Sequence, residues 1–130
     1  MNIMVCFDGS DVSFHALRIA IERARRLGDE IFVVTSMVGS KDVSTEDYDK
    51  AEKLLKKAKS RVAEEDIPCD TLLSVKELTT GENLTRIAKE KGMSEVYIGI
   101  KKRSKVGKLL FGSTAQYVIL NASCPVVTVK

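Results

Sequence analysis

Gly112-Ser113-Thr114 follows a segment, residues 101–108, that carries Lys101, Lys102, Arg103, Lys105 and Lys108. Glycine and serine at a strand-to-helix turn let backbone N–H groups approach an anion, and a helix N-terminus adds about half a positive charge facing it. Cations beside such a turn suit phosphate. A second polar turn, Asp8-Gly9-Ser10, closes the first apolar run and offers a carboxylate to a hydroxyl or an amino group. On residue types alone, Asp8 also fits an Asx turn or a helix cap, and Gly112-Ser113 fits a plain N-cap.

The remaining reactive residues point to no second chemistry. His15, the one histidine, falls within a helical pattern with no nucleophile or acid beside it, so a surface or packing role is expected. Met37 and Met93 read as core filler. Glu46, Asp47 and Asp49 open a helix, where the dipole favours negative charge. Cys6, Cys69 and Cys124 are odd in number and widely spaced, which gives neither a disulfide framework nor a paired metal site. Cys6 lies inside an apolar run and is expected to be inert, whereas Cys124, next to Pro125, is expected to be more exposed.

The elements that hold the two turns can be read from periodicity. Ile3 to Phe7 and Val96 to Ile100 are short, nearly continuous apolar runs, the pattern of strands buried on both faces. Glu30 to Val38 is a second such strand, rich in β-branched residues. Thr71 to Val75 and Cys124 to Val129 are two more, with Pro125 suited to the start of an edge strand. Between them lie helical patterns. Ala16, Leu17, Ala20, Ile21, Ala24 and Leu27 mark the first, capped from Ser10, Asp11 or Ser13 and stopped by Gly28. Ala51, Leu54, Leu55, Ala58 and Val62 mark a second from Ser44 or Thr45, with a solvated face of alternating charge, broken at Ile67-Pro68. A third starts at Gly81 or Glu82, carries Leu84, Ile87 and Ala88 and stops at Gly92. Ala115, Val118, Ile119 and Ala122 mark the fourth.

Alternating strands and helices imply one α/β domain over residues 1–130, a doubly wound parallel sheet of five strands with four helices on its two faces. Ligands in such sheets bind beyond the carboxyl ends of the strands, where the strand order reverses. Both polar turns fall at such ends.

Composition bounds the partners. Of 130 residues, 44% are hydrophobic and 30% charged, an ordinary globular balance, and the formal net charge of +3 is too small to indicate a nucleic-acid surface. The opening apolar run is too short for a signal-peptide core, and no stretch approaches the roughly 20 apolar residues that span a bilayer, so a cytoplasmic protein without membrane or nucleic-acid partners is expected.

The five-strand alternation, Asp8 closing the first strand, Gly99 followed after a long loop by Gly112-Ser113, and the ending Ser123-Cys124-Pro125-Val126-Val127-Thr128-Val129 resemble the universal stress protein family over the whole chain. The resemblance implies a Rossmann-like fold of the adenine nucleotide alpha hydrolase type with strand order 3-2-1-4-5. It also implies an adenine-nucleotide-binding module of regulatory or stress-response function, taking ATP or another adenine nucleotide with Mg²⁺ on its phosphates, and a homodimer formed through the last strand. In the family's motif, glycine, two residues, glycine, nine residues, then glycine and serine or threonine, the middle glycine is here Lys102. Carried over residue by residue, Asp8 would sit near the adenosine moiety and Ser36 at the strand end that meets adenine. Gly99, Lys101, Lys102, Gly112, Ser113 and Thr114 would surround the phosphates.

Lys102 leaves two outcomes open. Its ammonium can pair with a phosphate as a point charge. Its side chain can instead fill the phosphate pocket, leaving a nucleotide-free, dimeric protein-interaction module. No residue stands out as a water-orienting base or an added arginine finger, so at most slow ATP hydrolysis is expected. The turn Asp8-Gly9-Ser10-Asp11-Val12-Ser13 is also loosely similar to the phosphate loop of ATP pyrophosphatases, but that family's glycine pair is absent, and the chain has no room for a second substrate's domain.

Overall fold

Each strand of the central sheet sends alternate side chains to opposite faces. Ile3, Val5 and Phe7 pack with Ile31 and Val33 on one face, and Met4, Cys6 and Val34 with Val96 and Ile98 on the other. Both sets are buried, because helices cover both faces. The computed structural model describes residues 1–39, 43–100, 102–103, 109–110 and 112–130. In chain order its elements are β1 (Asn2–Cys6), α1 (Asp11–Leu27), β2 (Glu30–Val38), α2 (Thr45–Ala63), β3 (Cys69–Lys76) and α3 (Thr80–Glu90). They continue with β4 (Glu95–Gly99), β5 (Lys102–Arg103), β6 (Leu109–Leu110), α4 (Ser113–Asn121) and β7 (Val126–Val129).

Five parallel strands run in the order β3-β2-β1-β4-β7, which is the 3-2-1-4-5 order once the two-residue strands are set aside. Helices α1 and α2 cover the first face through Ala16, Leu17, Ala20, Leu55, Ala58 and Val62. The second face is closed by α3 and α4 through Leu84, Ile87, Ala88, Ala115 and Val118. From β1 the chain steps outward to β2 and β3, then crosses back to β4 on the other side of β1. The reversal opens a crevice between the carboxyl ends of β1 and β4.

Local signals account for most boundaries. The Ser10 side chain accepts the Ser13 N–H to cap α1, and Gly28 ends that helix in the left-handed conformation. Ser44 accepts from the Asp47 N–H to cap α2. Strand ends shift from the sequence reading by one or two residues, as at β3 (Cys69–Lys76) and β7 (Val126–Val129), and three further differences have local causes. Helix α2 stops at Ala63, ahead of Ile67-Pro68, and the chain turns through Asp66 at φ 55°, a conformation that short Asx side chains tolerate. Helix α3 begins at Thr80, capped by Thr79, whose hydroxyl accepts the Glu82 N–H at 3.3 Å and donates to the Glu82 carboxylate at 3.0 Å. Inside the basic segment, β5 pairs antiparallel with β6, Lys102 opposite Leu110 and Arg103 opposite Leu109. A pair of two-residue strands is too short for a periodic signal.

Candidate nucleotide-binding site

The crevice at the strand ends is a cleft of about 330 Å³. Its floor is the end of the sheet: Cys6, Phe7, Val34, Ile98 and Gly99. Its walls are the turn from Asp8 to Ser13, Ser36 with Thr80 and Leu84, and the start of α4.

The turn after β1 is tightly specified. The Ser10 N–H donates to the Asp8 carboxylate at 2.9 Å, closing an Asx turn, and Gly9 between them takes φ +83°. Glycine meets that dihedral without penalty, and a Cβ there would also run into the Leu54 side chain. Ser13 and Ser10 then brace the first turn of α1, with Ser13 Oγ donating to the Ser10 carbonyl at 2.8 Å. The Thr35 hydroxyl donates to the Phe7 carbonyl at 2.7 Å, locking the ends of β1 and β2 together.

At the end of β4, Gly99 sits against the first turn of α1. A Cβ at this position would lie 2.8 Å and 3.0 Å from the Val12 methyl groups and 3.1 Å from the Val12 carbonyl carbon. The requirement for glycine here is one of space. Gly112 differs: it is the N-cap of α4 with φ −63°, a dihedral that any residue adopts, and it makes no side-chain cap. The first N–H groups of α4 therefore have no N-cap side chain to accept from them, and Gly112, Ser113, Thr114 and Ala115 at that helix start line the cleft. An anion can satisfy them.

Asp8, Ser36, Gly99, Gly112, Ser113 and Thr114 thus line one cleft. Lys101 lies outside the described residues. Lys102 is described through its backbone as part of β5, an extended conformation that lysine takes without the left-handed penalty. His15 lies away from the cleft, its Nδ1–H donating to the Lys130 carbonyl oxygen at 2.7 Å. Burial pushes the Cys6 thiol on the cleft floor up to about 12, with Cys124 adding to the shift, so it is protonated at neutral pH. Half-buried Cys124 is likewise raised by burial first and by Glu95 second.

The residues match a known family along their full length. The model of the universal stress protein family fits residues 1–130. The chain belongs to the universal stress protein family. Among its relatives, the universal stress protein YxiE of Bacillus subtilis is 27% identical over 99% of this chain and 98% of its own. A universal stress protein of Archaeoglobus fulgidus superposes with a TM-score of 0.92 at 37% identity, covering 100% of this chain and 98% of the other. An Archaeoglobus fulgidus universal stress protein in complex with dAMP superposes at a TM-score of 0.87 with 32% identity, over 100% and 98% of the two chains.

Sequence reasoning missed one component of the candidate site. Asn83 of α3, fully buried, donates through Nδ2 to the Ser36 hydroxyl at 2.8 Å and to the Ser74 hydroxyl at 2.9 Å. Its Oδ1 accepts from Arg86 at 2.7 Å. A polar residue four positions before Ile87, on the apolar face of α3, was the available signal. A separate cavity of about 350 Å³ opens at the opposite end of the sheet beside Cys69, Lys91 and Met93. Burial there lifts the Cys69 thiol to about 11, against a smaller lowering by Lys59. Among the described residues no helix is long and apolar enough to cross a membrane, and no three His, Cys, Asp or Glu side chains gather to hold a metal.

Proposed function

We propose that this universal stress protein is an adenine-nucleotide-binding regulatory module whose ligand lies in the cleft between β1 and β4. The observation that carries the reading is the convergence on one cleft of the Asp8 turn, the Ser36 wall and the start of α4, which has no side-chain cap. The complex of the 32% identical Archaeoglobus fulgidus protein with dAMP supports the ligand class. The cleft volume falls within the range of small-molecule sites, roughly 300–1,000 Å³.

In this reading the base and sugar occupy the apolar half, over Val34, Leu84 and Ile98. The Asp8 carboxylate faces the ribose, and the α-phosphate meets the N–H groups of Ser113 and Thr114. The basic segment, Lys101 and Lys102 included, extends the positive field to further phosphates, so ATP fits as well as a monophosphate. Mg²⁺ arrives on the phosphates of a triphosphate. The module works by binding, and ATP is turned over slowly at most. Two copies associate through β7 in the cytoplasm.

Isothermal titration of nucleotide-stripped protein with dAMP, and with ATP and Mg²⁺, tests the reading, alongside Lys102→Gly. Saturable binding of either nucleotide by the natural protein is expected. No binding by the natural protein, with recovery in Lys102→Gly, would mean that Lys102 closes the phosphate end, and the interaction-module reading would take over.

A further inference from the structure

We infer that Asn83 and Arg86 bias the Ser36 hydroxyl toward donating into the cleft, and that this polarity favours a ligand presenting an acceptor, such as a purine ring nitrogen, at that wall. The inference rests on adenine-nucleotide binding in the cleft.

The chain of constraint starts at Arg86. A guanidinium can only donate, so the Asn83 atom 2.7 Å from it must be the carbonyl oxygen Oδ1. That sets the orientation of the whole amide. The Asn83 NH₂ then faces β2 and β3, where it has a hydroxyl for each of its two hydrogens, Ser36 at 2.8 Å and Ser74 at 2.9 Å. Ser36 therefore accepts from behind through one lone pair, and its own proton, which cannot point at the Asn83 amide, is free to turn toward the cleft that Ser36 lines.

Burial makes the arrangement rigid. Asn83 is 0% exposed, and an amide there with an unmatched hydrogen or oxygen would be left without water to satisfy it. Arg86 is held in turn by Glu90 at 2.6 Å, one turn further along α3. A serine hydroxyl rotates to suit either a donor or an acceptor; here Asn83 occupies one of its two lone pairs, which biases the hydroxyl toward donating before the ligand arrives. A ligand that offers only an N–H to this wall can use just the one remaining lone pair and leaves the Ser36 proton unpaired. One that offers a lone pair gains a hydrogen bond.

Deaza analogues of dAMP read this directly, since each replaces one ring nitrogen by a C–H and removes one acceptor. The natural protein is titrated with dAMP and with its 1-deaza, 3-deaza and 7-deaza analogues, and the same series is run on Ser36→Ala and Asn83→Asp. One analogue is expected to bind the natural protein about five- to tenfold more weakly than dAMP, the size of one neutral hydrogen bond. Ser36→Ala is expected to weaken dAMP by a similar factor and to bind that analogue no worse than dAMP. In Asn83→Asp the new carboxylate accepts from both serines and pairs with Arg86, turning the Ser36 proton away from the cleft. The penalty against that analogue should vanish there too.

Retention of the same penalty in Ser36→Ala or in folded Asn83→Asp would overturn the inference, as would equal binding of all four ligands by the natural protein. Should Asn83→Asp not fold, the Ser36→Ala series decides alone. Failure of the natural protein to bind either dAMP or ATP would overturn both this inference and the proposed function, whereas binding of ATP alone, or binding of dAMP without the expected discrimination, overturns this inference only.

Discussion

At the scale of single residues, the cleft is shaped as much by what is absent as by what is present. Gly99 leaves room for the first turn of α1, and a methyl group there must displace Val12, including its backbone. Gly99→Ala is expected to destabilise the fold by about 1–3 kcal/mol, the usual consequence of overpacking, measured as a lower urea midpoint with an unchanged m-value. Stability equal to that of the natural protein would show that α1 can shift freely. Cys6 gives a second residue-scale expectation. Its folded-state value of about 12 lies above the ordinary thiol value of about 8.5, so above about pH 8.5 the unfolded chain sheds a proton that the folded chain keeps. The stability held by the neutral thiol is complete below that pH and is lost as the pH rises toward 12, with a slope approaching about 1.4 kcal/mol per pH unit. Urea midpoints measured at pH 8 and pH 10 should fall less for Cys6→Ala than for the natural protein; an equal fall would place the alkaline sensitivity elsewhere.

At the scale of elements, the helix starts are unequal, and the inequality marks the site. Ser10, Ser44 and Thr79 each accept an N–H from the turn they cap, while Gly112 at the head of α4 does not. A side-chain cap at Gly112 would add about 1 kcal/mol to the stability of the free protein, and an aspartate would place a negative charge where a phosphate is expected. Gly112→Asp is therefore expected to raise the melting temperature and to abolish nucleotide binding in the same titration. A variant that binds normally would move the phosphate away from α4. The strands and the first two helices were legible in the sequence because each long element carries its own periodic signal, from the apolar run Ile3 to Phe7 to the stripe Ala51 to Val62. The start of α3 was not, since Thr79-Thr80-Gly81-Glu82 offers several polar cap candidates and the geometry alone selects Thr79. Of the site, the two turns were legible as local patterns. The bridge from Asn83 to Ser36 was not, because it joins residues 47 positions apart and depends on how α3 docks on β2.

At the scale of the whole molecule, a parallel sheet leaves its edge strands with unpaired backbone groups, and β7 is such an edge. The Pro125 and Val129 carbonyls accept from Val96 and Ile100 of β4, so by the alternation of the ladder the N–H and carbonyl of Thr128 point away from the sheet. Thr128 is exposed, and α4, which leads into β7, leaves Tyr117, Ile119 and Leu120 at the surface. A second copy pairing along β7 would use these outward groups. Removing residues 126–130 cannot test this cleanly, because Val129 is buried in the core between the sheet and α1 and its loss would disturb the fold itself. Thr128→Pro removes one outward N–H and adds a ring that blocks strand pairing, while the hydrogen bonds to β4 stay intact. Light scattering is expected to give a dimer for the natural protein and a folded monomer for Thr128→Pro. A dimer that survives Thr128→Pro would place the interface on another surface, with the exposed side chains of α4 the next to substitute.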